Sequence, residues 1–378
     1  MKRITSKIFL ALISVILCVL LIGCDNIGYI RFVSVGSPIA VEYTFNKRAQ
    51  CPWDMTVYNG EVYIGGGDYG ANAGPVNVWK RSIKDRQWIN TGSVPDEEIN
   101  RYCVIDGKLV IPGTDPMDDW SYGNYYILED GSWKVKRTIP NAVHTFDMLS
   151  HDGMLFAAIG VESGGYPAAV SLDNGESFSS ITFKKKNVPI NSEKFSRVRV
   201  YDLFLLDGEV YAVAVFATKN SFTEVYKYEN GCFSFVADWT KSVERRVFSS
   251  NVIGAKVKVG DTLLFTTGNL YYTNDGINVT EIPLRRNEAV YDLYDDGESL
   301  YILSAVRVAQ GDYTVSVKRY SGNGEDLSYE NFKTLFSFKY NIPPLSLAVL
   351  QNDFYIGIGH EQANDINNGS VLHIKYWF

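Results

Sequence analysis

Four aspartates recur at matching positions along the chain, and carboxylates that meet in a fold can hold a metal ion. Each follows an aromatic residue and lies five or six residues before the glycine of a turn: Asp54, Asp147, Asp202 and Asp292. Gathered in a ring, their oxygens would suit Ca²⁺, which prefers several oxygen ligands. Alternatively, each accepts hydrogen bonds from backbone N–H groups at the start of its own or the next repeat. We favour the second interpretation, because polar residues that recur with a repeat usually serve the repeat.

These aspartates belong to a repeat that covers most of the chain. Apolar runs of five to eight residues alternate with Gly, Asn and Asp turns, and no helical period of apolar residues persists for three turns. Asn-Gly and Asp-Gly favour tight hairpins between antiparallel strands. Turn signals recur at intervals of 37 to 55 residues, at 59–60, 106–107, 152–153, 207–208, 259–260, 296–297 and 351–352. Such intervals match the length of a four-stranded propeller blade.

The sequence therefore predicts an all-β fold, a seven-bladed β-propeller of four-stranded antiparallel blades. Only three strands of the seventh unit precede Phe378. We expect a strand within residues 28–46, for instance 41–45, to supply the fourth and close the ring, which removes exposed sheet edges. Residues 25–378 would then form a single propeller domain, which we expect to be a monomer.

The first 24 residues have the pattern of an export signal. Lys2, Arg3 and Lys7 precede an apolar stretch over residues 8–22, which is too short to span a bilayer comfortably. The sequence Leu-Ile-Gly-Cys at 21–24 resembles the lipobox of bacterial lipoproteins. The resemblance implies an exported protein of the bacterial cell envelope, anchored to the membrane by lipid on Cys24. An ordinary cleaved signal and an uncleaved anchor are the alternatives.

Charge and cysteine content exclude some classes of function. The formal net charge of −7 would become −10 without the three cations of the signal, so we expect no nucleic-acid partner. Cys51, Cys103 and Cys232 are an odd set without a CxxC spacing, which argues against a zinc site or a disulfide framework. We expect free thiols, with a Cys51–Cys103 bridge as the alternative.

One turn resembles a motif of known propellers. Ser171-x-Asp173-x-Gly175-x-x-Phe178 is similar to the Asp-box of sialidase-like, YVTN-like and related propellers, with Phe in place of Trp. The resemblance implies a β-propeller and a structural role for Asp173 in a turn between outer strands, away from the active face. It does not imply a sialidase, because the Arg-Ile-Pro signature of that family is absent and sialidases have six blades.

The loops that meet at one face of the predicted propeller carry opposite charges on its two sides. Blades one, two and seven contribute the acidic segments 67–70, 115–122 and 360–365. Blades three, four and five contribute Lys184, Lys185, Lys186, Arg197, Arg199, Arg245, Arg246, Arg285 and Arg286. Guanidinium groups suit the carboxylate or sulfate of an acidic sugar. Aromatic side chains can stack on sugar rings, and the candidates are Tyr69, Trp120, Tyr122 and Tyr166.

Few residues suit acid–base catalysis. His144, with Arg197 or Arg199 and a tyrosine, could serve proton abstraction in a uronic-acid lyase, although we favour a histidine that caps a loop. No GxSxG, HExxH or phosphate-loop pattern occurs. We therefore predict a binding module for a glycan or protein ligand, with no cofactor. The alternatives are a glycan-active hydrolase or lyase that uses the same face, and a scaffold for protein assembly.

Overall fold

A computed structural model describes residues 32–84, 86–161, 165–190, 197–217, 221–243, 254–308, 311–322 and 327–375. In these ranges the fold is all-β, a β-propeller arrangement of four-stranded antiparallel blades. Helical structure is limited to α1 (Pro38–Glu42) and the 3₁₀ helices Tyr69–Ala71 and Tyr329–Asn331. The alternation of apolar runs and turns therefore predicted the fold class correctly.

The strands follow one another in hairpins that turn at Asn-Gly and Asp-Gly. The first eleven are β1 (Phe32–Ser34), β2 (Asp54–Tyr58), β3 (Glu61–Gly65), β4 (Val76–Ser82), β5 (Trp88–Val94), β6 (Asp96–Glu98), β7 (Cys103–Ile105), β8 (Lys108–Pro112), β9 (Thr114–Pro116), β10 (Tyr122–Glu129) and β11 (Ser132–Pro140). Asn59, Asp106, Asp152 and Asp207 have positive φ at their turns, which asparagine and aspartate tolerate better than most residues.

The middle and last strands continue the pattern. The middle strands are β12 (Ala142–His151), β13 (Met154–Val161), β14 (Ala168–Ser171), β15 (Ser179–Ser180), β16 (Thr182–Lys185), β17 (Val188–Pro189), β18 (Arg197–Leu206), β19 (Glu209–Ala217), β20 (Ser221–Glu229) and β21 (Cys232–Asp238). The last are β22 (Ala255–Val259), β23 (Thr262–Thr266), β24 (Leu270–Thr273), β25 (Thr280–Ile282), β26 (Glu288–Asp295), β27 (Leu300–Arg307), β28 (Tyr313–Tyr320), β29 (Phe332–Tyr340), β30 (Pro344–Leu350), β31 (Asp353–Ile358) and β32 (Val371–Lys375).

The division into sheets differs from the prediction of seven four-stranded blades. The described ranges contain five four-stranded sheets and one twelve-stranded sheet. The large sheet includes the hairpin series β12–β15 and β18–β21, which a single pairing of Gly160 with Arg199 joins. The hairpin β16–β17 extends it by pairing parallel to β21. Five separate four-stranded blades are therefore found in place of seven, because strands of neighbouring units in the large sheet lie close enough to pair.

An N-terminal strand completes the last sheet. β1 pairs antiparallel with β32, with Phe32 opposite Ile374 and Ser34 opposite Leu372. This strand lies within the predicted range 28–46, but the example 41–45 was wrong because α1 occupies residues 38–42. The helix begins there because the Ser37 side chain accepts a hydrogen bond from the Ala40 N–H at 3.0 Å and a proline in the first turn needs no N–H partner.

The core lies mainly between successive units, where side chains of neighbouring sheets interlock. One cluster stacks aromatic rings between β18–β19 and β23: Phe204 lies 4.9 Å from Tyr211 and 6.2 Å from Trp239 between ring centroids. Trp239 in turn lies 5.3 Å from Phe265, with the rings almost parallel. Buried aromatic rings contribute large apolar areas, so such stacks hold adjacent units in a fixed relation.

The turn at 171–178 is closed by side-chain hydrogen bonds. The Ser171 hydroxyl donates to Asp173 at 2.7 Å and accepts from the Gly175 N–H at 2.8 Å. Asp173 also accepts from the Ser177 N–H at 2.9 Å. The Gly175 carbonyl accepts a bond from Tyr125 at 3.1 Å, which ties the turn to the preceding unit. These contacts give Asp173 a structural role, while membership of an Asp-box family remains a prediction.

Cys51, Cys103 and Cys232 are free thiols, as expected. Cys24 and the rest of the predicted signal lie outside the described residues. Among the described residues, no helix has the length and apolar character needed to cross a membrane.

Candidate functional site

A central cavity of about 550 Å³ opens between the innermost strands. Its lining includes Asp54, Arg101, Asp147, Lys256 and Asp292. The innermost strands begin at the same end of the propeller, so aspartates at equivalent positions approach one another around the axis, as the sequence predicted. Charged side chains of both signs therefore meet in a confined space.

Three of the four recurrent aspartates hold successive units together. The carboxylate of Asp54 accepts a hydrogen bond from the Tyr102 N–H at 2.6 Å. Equivalent bonds join Asp147 to the Leu203 N–H at 2.8 Å and Asp292 to the Leu347 N–H at 2.6 Å. In each pair the donor belongs to the following unit. These distances confirm the backbone-binding interpretation for the three aspartates.

Two cations of the chain itself lie among these carboxylates. Arg101 contacts Asp147 at 3.1 Å and Asp202 at 2.9 Å, and its side chain is only 11% exposed. Lys256 pairs with Asp147 as well and lies 3.9 Å from Asp202. Arg101 and Lys256 thus partly neutralise the negative charge of the aspartate ring considered for Ca²⁺. Among the described residues, no three Asp, Glu, His or Cys side chains converge to hold a metal ion.

The equivalent aspartates differ in electrostatic environment. Burial alone would raise the pKa of Asp147, but Lys256 and Arg101 hold it below its ordinary value. Burial raises the pKa of Asp54 to about 6, against weaker opposing effects of its Tyr102 hydrogen bond and Arg101. Burial and then the charge of Asp54 raise the pKa of Asp292 well above its ordinary value. The surroundings thus favour the ionised form of Asp147 but disfavour the ionised forms of Asp54 and Asp292.

A second cluster surrounds Arg48, which precedes the first blade. Its guanidinium contacts Asp68 at 3.2 Å, Glu98 at 3.1 Å and Glu361 at 2.9 Å. The ring centroid of Tyr69 lies 5.0 Å from this group, within the range of a cation–π contact. Arg48 therefore draws together the acidic loops of the first and last units, which the sequence placed on one side of the loop face.

His144 lies at the same mouth among aromatic rings. Its ring centroid lies 5.4 Å from that of Tyr69 and 5.2 Å from that of Phe146, and the Arg199 guanidinium lies 5.5 Å from the Phe146 ring. Burial, and then the positive charge of Arg199, lower the pKa of His144 to about 3. The imidazole is therefore neutral near pH 7. Its buried Nδ1 has no hydrogen-bond partner among the described residues.

The second unit adds exposed aromatic residues. Trp120 is 44% exposed and Tyr122 48% exposed. Burial raises the pKa of Asp115, against smaller opposing effects of the Arg199 charge and the Trp120 side chain. We call the group Tyr69, Asp115, Trp120, His144 and Arg199 the loop-face cluster. Its members come from four successive units, so sequence spacing alone could not show that they meet.

Other predicted ligand residues do not join the loop-face cluster. Tyr166 packs partly buried against the core formed by β13 and β19. Arg285 is exposed, 5.9 Å from the Tyr329 ring. Lys185 pairs with Glu224, because residues 182–189 form a hairpin against β21. Arg245, Arg246 and the Arg197 side chain lie outside what the structure describes.

The sequence did not predict the two arginines that hold the charged groups together, Arg101 at the axis and Arg48 at the loop face. Arg48 and Arg101 lie in segments between repeats and match no motif. The acidic run 96–98 was also not predicted as part of a site, although it forms β6 and is buried throughout. Three consecutive carboxylates in a connection between blades were a usable signal, because acidic side chains are rarely buried without partners.

The arrangement of its sheets places this protein in the class of β-propellers. No family model matches the chain, and no curated protein matches it. Among solved structures, it is similar to a chain of the mitotic checkpoint complex, with a TM-score of 0.52 and 9% identity over 92% of this chain and 95% of that one.

Two enzymes of known structure are also similar. A polysaccharide lyase, an ulvan lyase, has a TM-score of 0.47 and 12% identity over 92% of this chain and 95% of that one. A puromycin hydrolase mutant has a TM-score of 0.49 and 13% identity over 85% of this chain, which spans about half (52%) of that chain. Likeness at such identities shows the fold and carries no activity over to this chain.

Proposed function

We propose that this protein is a carbohydrate-binding module that holds its ligand at the loop-face cluster. The observation that carries the proposal is the exposed ring of Trp120 beside the carboxylate of Asp115, on which the charge of Arg199 also acts. Exposed aromatic rings stack on the apolar faces of sugars, while carboxylates and guanidinium groups bond their hydroxyl and acidic groups. Few convergent polar groups beside an aromatic surface are typical of small-ligand sites.

Binding to glycans tests this proposal directly. We expect the purified protein to bind members of an array of neutral and acidic oligosaccharides, and Trp120→Ala and Arg199→Ala each to weaken binding about tenfold, the loss of one dominant contact. Leu172→Ala is the matched control, because Leu172 is 75% exposed on an outer turn. Unchanged affinity in both cluster variants, or no glycan bound at all, would refute the proposal and favour a protein partner.

A second candidate function is a lyase for uronic acids that acts at the same cluster. It is favoured by the neutral His144, whose Nδ1 lacks a partner among the described residues, beside Tyr69 and the cation Arg199. A guanidinium can neutralise a uronate carboxylate, which would remove one of the two effects that lower the pKa of His144 and make the imidazole a better proton acceptor. On any acidic glycan that binds, His144→Ala should abolish release of unsaturated sugar, followed at 235 nm, yet retain binding. A wild-type protein without such release is a binder only.

We also propose seven blades, an exported location and a lipid anchor. The count of seven is supported by the two hairpin series inside the twelve-stranded sheet, β12–β15 and β18–β21. The anchor is supported by the sequence at 21–24. Cys24→Ser should move the protein from the membrane fraction to the soluble fraction of expressing bacteria, and an unchanged distribution would exclude lipid on Cys24.

A further inference from the structure

The buried acidic run of β6 lies at the edge of the loop-face cluster. Asp96 and Glu98 are fully buried, and Glu97 is 8% exposed. Asp96 accepts hydrogen bonds from Asn124 and Tyr126, and Glu98 binds Arg48 through both oxygens. Glu97 lies between them, and successive side chains of a strand point to opposite faces. It therefore shares neither set of partners.

The strand pairing places Glu97 near another acidic residue. β6 pairs antiparallel with β9, with Asp96 opposite Pro116 and Glu98 opposite Thr114. These two pairs flank Glu97 and Asp115, and the charge of Asp115 acts on the Glu97 carboxylate. On the other side, the Asp68 N–H donates to the Glu97 carbonyl at 2.8 Å. Three acidic residues are thus adjacent across three chain segments.

Glu97 has no counterion of its own among the described residues. Its buried Oε2 has no hydrogen-bond partner there, and burial followed by the charges of Asp115, Asp96 and Asp68 raises the pKa of Glu97 to about 7. Asp115 is partly exposed, and only the charge of Arg199 and the Trp120 side chain oppose the effect of burial on its pKa. A buried carboxylate beside like charges is costly unless a cation or a proton compensates it.

We propose that Glu97 and Asp115 bind a divalent cation, Ca²⁺, at the loop face. Both groups offer only oxygen atoms, which hard cations prefer, and Ca²⁺ tolerates irregular coordination. Two carboxylates fill only part of the coordination shell of Ca²⁺, so its remaining positions are open to water and ligand oxygens. The site is distinct from the ring of recurrent aspartates, where Arg101 and Lys256 already supply positive charge. It does not depend on the proposed carbohydrate ligand.

Calcium titration of the full chain tests the site. After treatment with EDTA, we expect CaCl₂ at pH 8 to raise the melting temperature progressively, since a cation that binds only the folded state stabilises it. Calorimetry should give at least a tenfold weaker Ca²⁺ affinity for Glu97→Gln and for Asp115→Asn. Asp118→Asn is the matched control, because Asp118 lies in the same loop with its side chain 70% exposed, and it should respond like wild type.

Glu97→Gln keeps the size of the side chain and removes its charge, so without Ca²⁺ it should melt no lower than wild type. A wild-type melting temperature unchanged by 10 mM CaCl₂ would overturn the proposal and assign the compensation at Glu97 to a bound proton. A Glu97→Gln variant that binds Ca²⁺ as tightly as wild type would overturn it too. If Asp115→Asn does not fold, the comparison of Glu97→Gln with Asp118→Asn still decides the question.

Discussion

Replacing Arg101 by methionine should lower the free energy of unfolding by about 3–5 kcal/mol, the usual cost of removing one partner from a buried ion pair. Arg101 is one of two cations that Asp147 and Asp202 share, at 3.1 and 2.9 Å, and those carboxylates are 4% and 0% exposed. Methionine fills much of the same volume without the charge. Urea unfolding at pH 7.5 with an unchanged dependence on denaturant would measure the loss.

The pH dependence of the same variant separates lost charge from lost packing. Without Arg101, Lys256 alone opposes the effect of burial on Asp147, so its folded-state pKa rises relative to wild type. A carboxylate whose folded-state pKa rises contributes less stability at high pH, and the difference from wild type disappears as pH falls through that pKa. The deficit should therefore shrink between pH 8 and pH 4. Asp202→Asn in the Arg101→Met background should recover part of the stability. A deficit below 1 kcal/mol, or one independent of pH, would contradict this account.

Much of the fold could be predicted from sequence because its determinants are local. A hairpin needs a residue that tolerates positive φ, and Asn59 and Asp106 provide it within two residues of the strands they connect. The alternation of apolar runs then fixes which positions face neighbouring sheets. The role of Asp54 followed from its repetition, since an equivalent position in each unit meets an equivalent backbone N–H of the next.

The remaining features depend on contacts between distant segments. Arg101 contacts a residue 101 positions away, and Arg48 reaches one 313 positions away. Neither arginine has a local pattern that distinguishes it from a solvated surface residue. The joining of two units in the twelve-stranded sheet rests on one pairing, Gly160 with Arg199, which depends on loop geometry. Which distant residues come into contact depends on how the propeller closes. The sequence predicts that the ring closes but does not predict these individual contacts.

Charged side chains have different roles at the axis of the propeller and at its loop face. At the axis, Arg101 and Lys256 balance carboxylates that hold units together. At the loop face, Arg48 satisfies Glu98, whereas Glu97 and the Nδ1 of His144 lack partners among the described residues. Unsatisfied buried polar groups cost stability, so the two at this mouth support the ligand proposed there.

Opposite effects are expected from one substitution at two equivalent positions. Asp54→Asn should stabilise the protein at pH 8 by up to about 3 kcal/mol, since two pKa units correspond to roughly that amount. Burial raises the folded pKa of Asp54 to about 6, above its ordinary 3.8. Ionised Asp54 thus reduces stability progressively as pH rises from about 4 to about 6, and fully above that. Asparagine stays neutral and can still accept the Tyr102 hydrogen bond.

Asp147→Asn should instead destabilise the protein at pH 8, because it leaves Lys256 and Arg101 with less compensating charge. The folded pKa of Asp147 is lowered, so its contribution is present above the unfolded pKa and is lost as pH falls through the folded pKa. Melting curves of both variants between pH 3 and pH 8 should therefore diverge from wild type in opposite directions at high pH and converge in acid. Shifts of the same sign at pH 8 would show that geometry at the repeat, and not the local charge around each carboxylate, governs these positions.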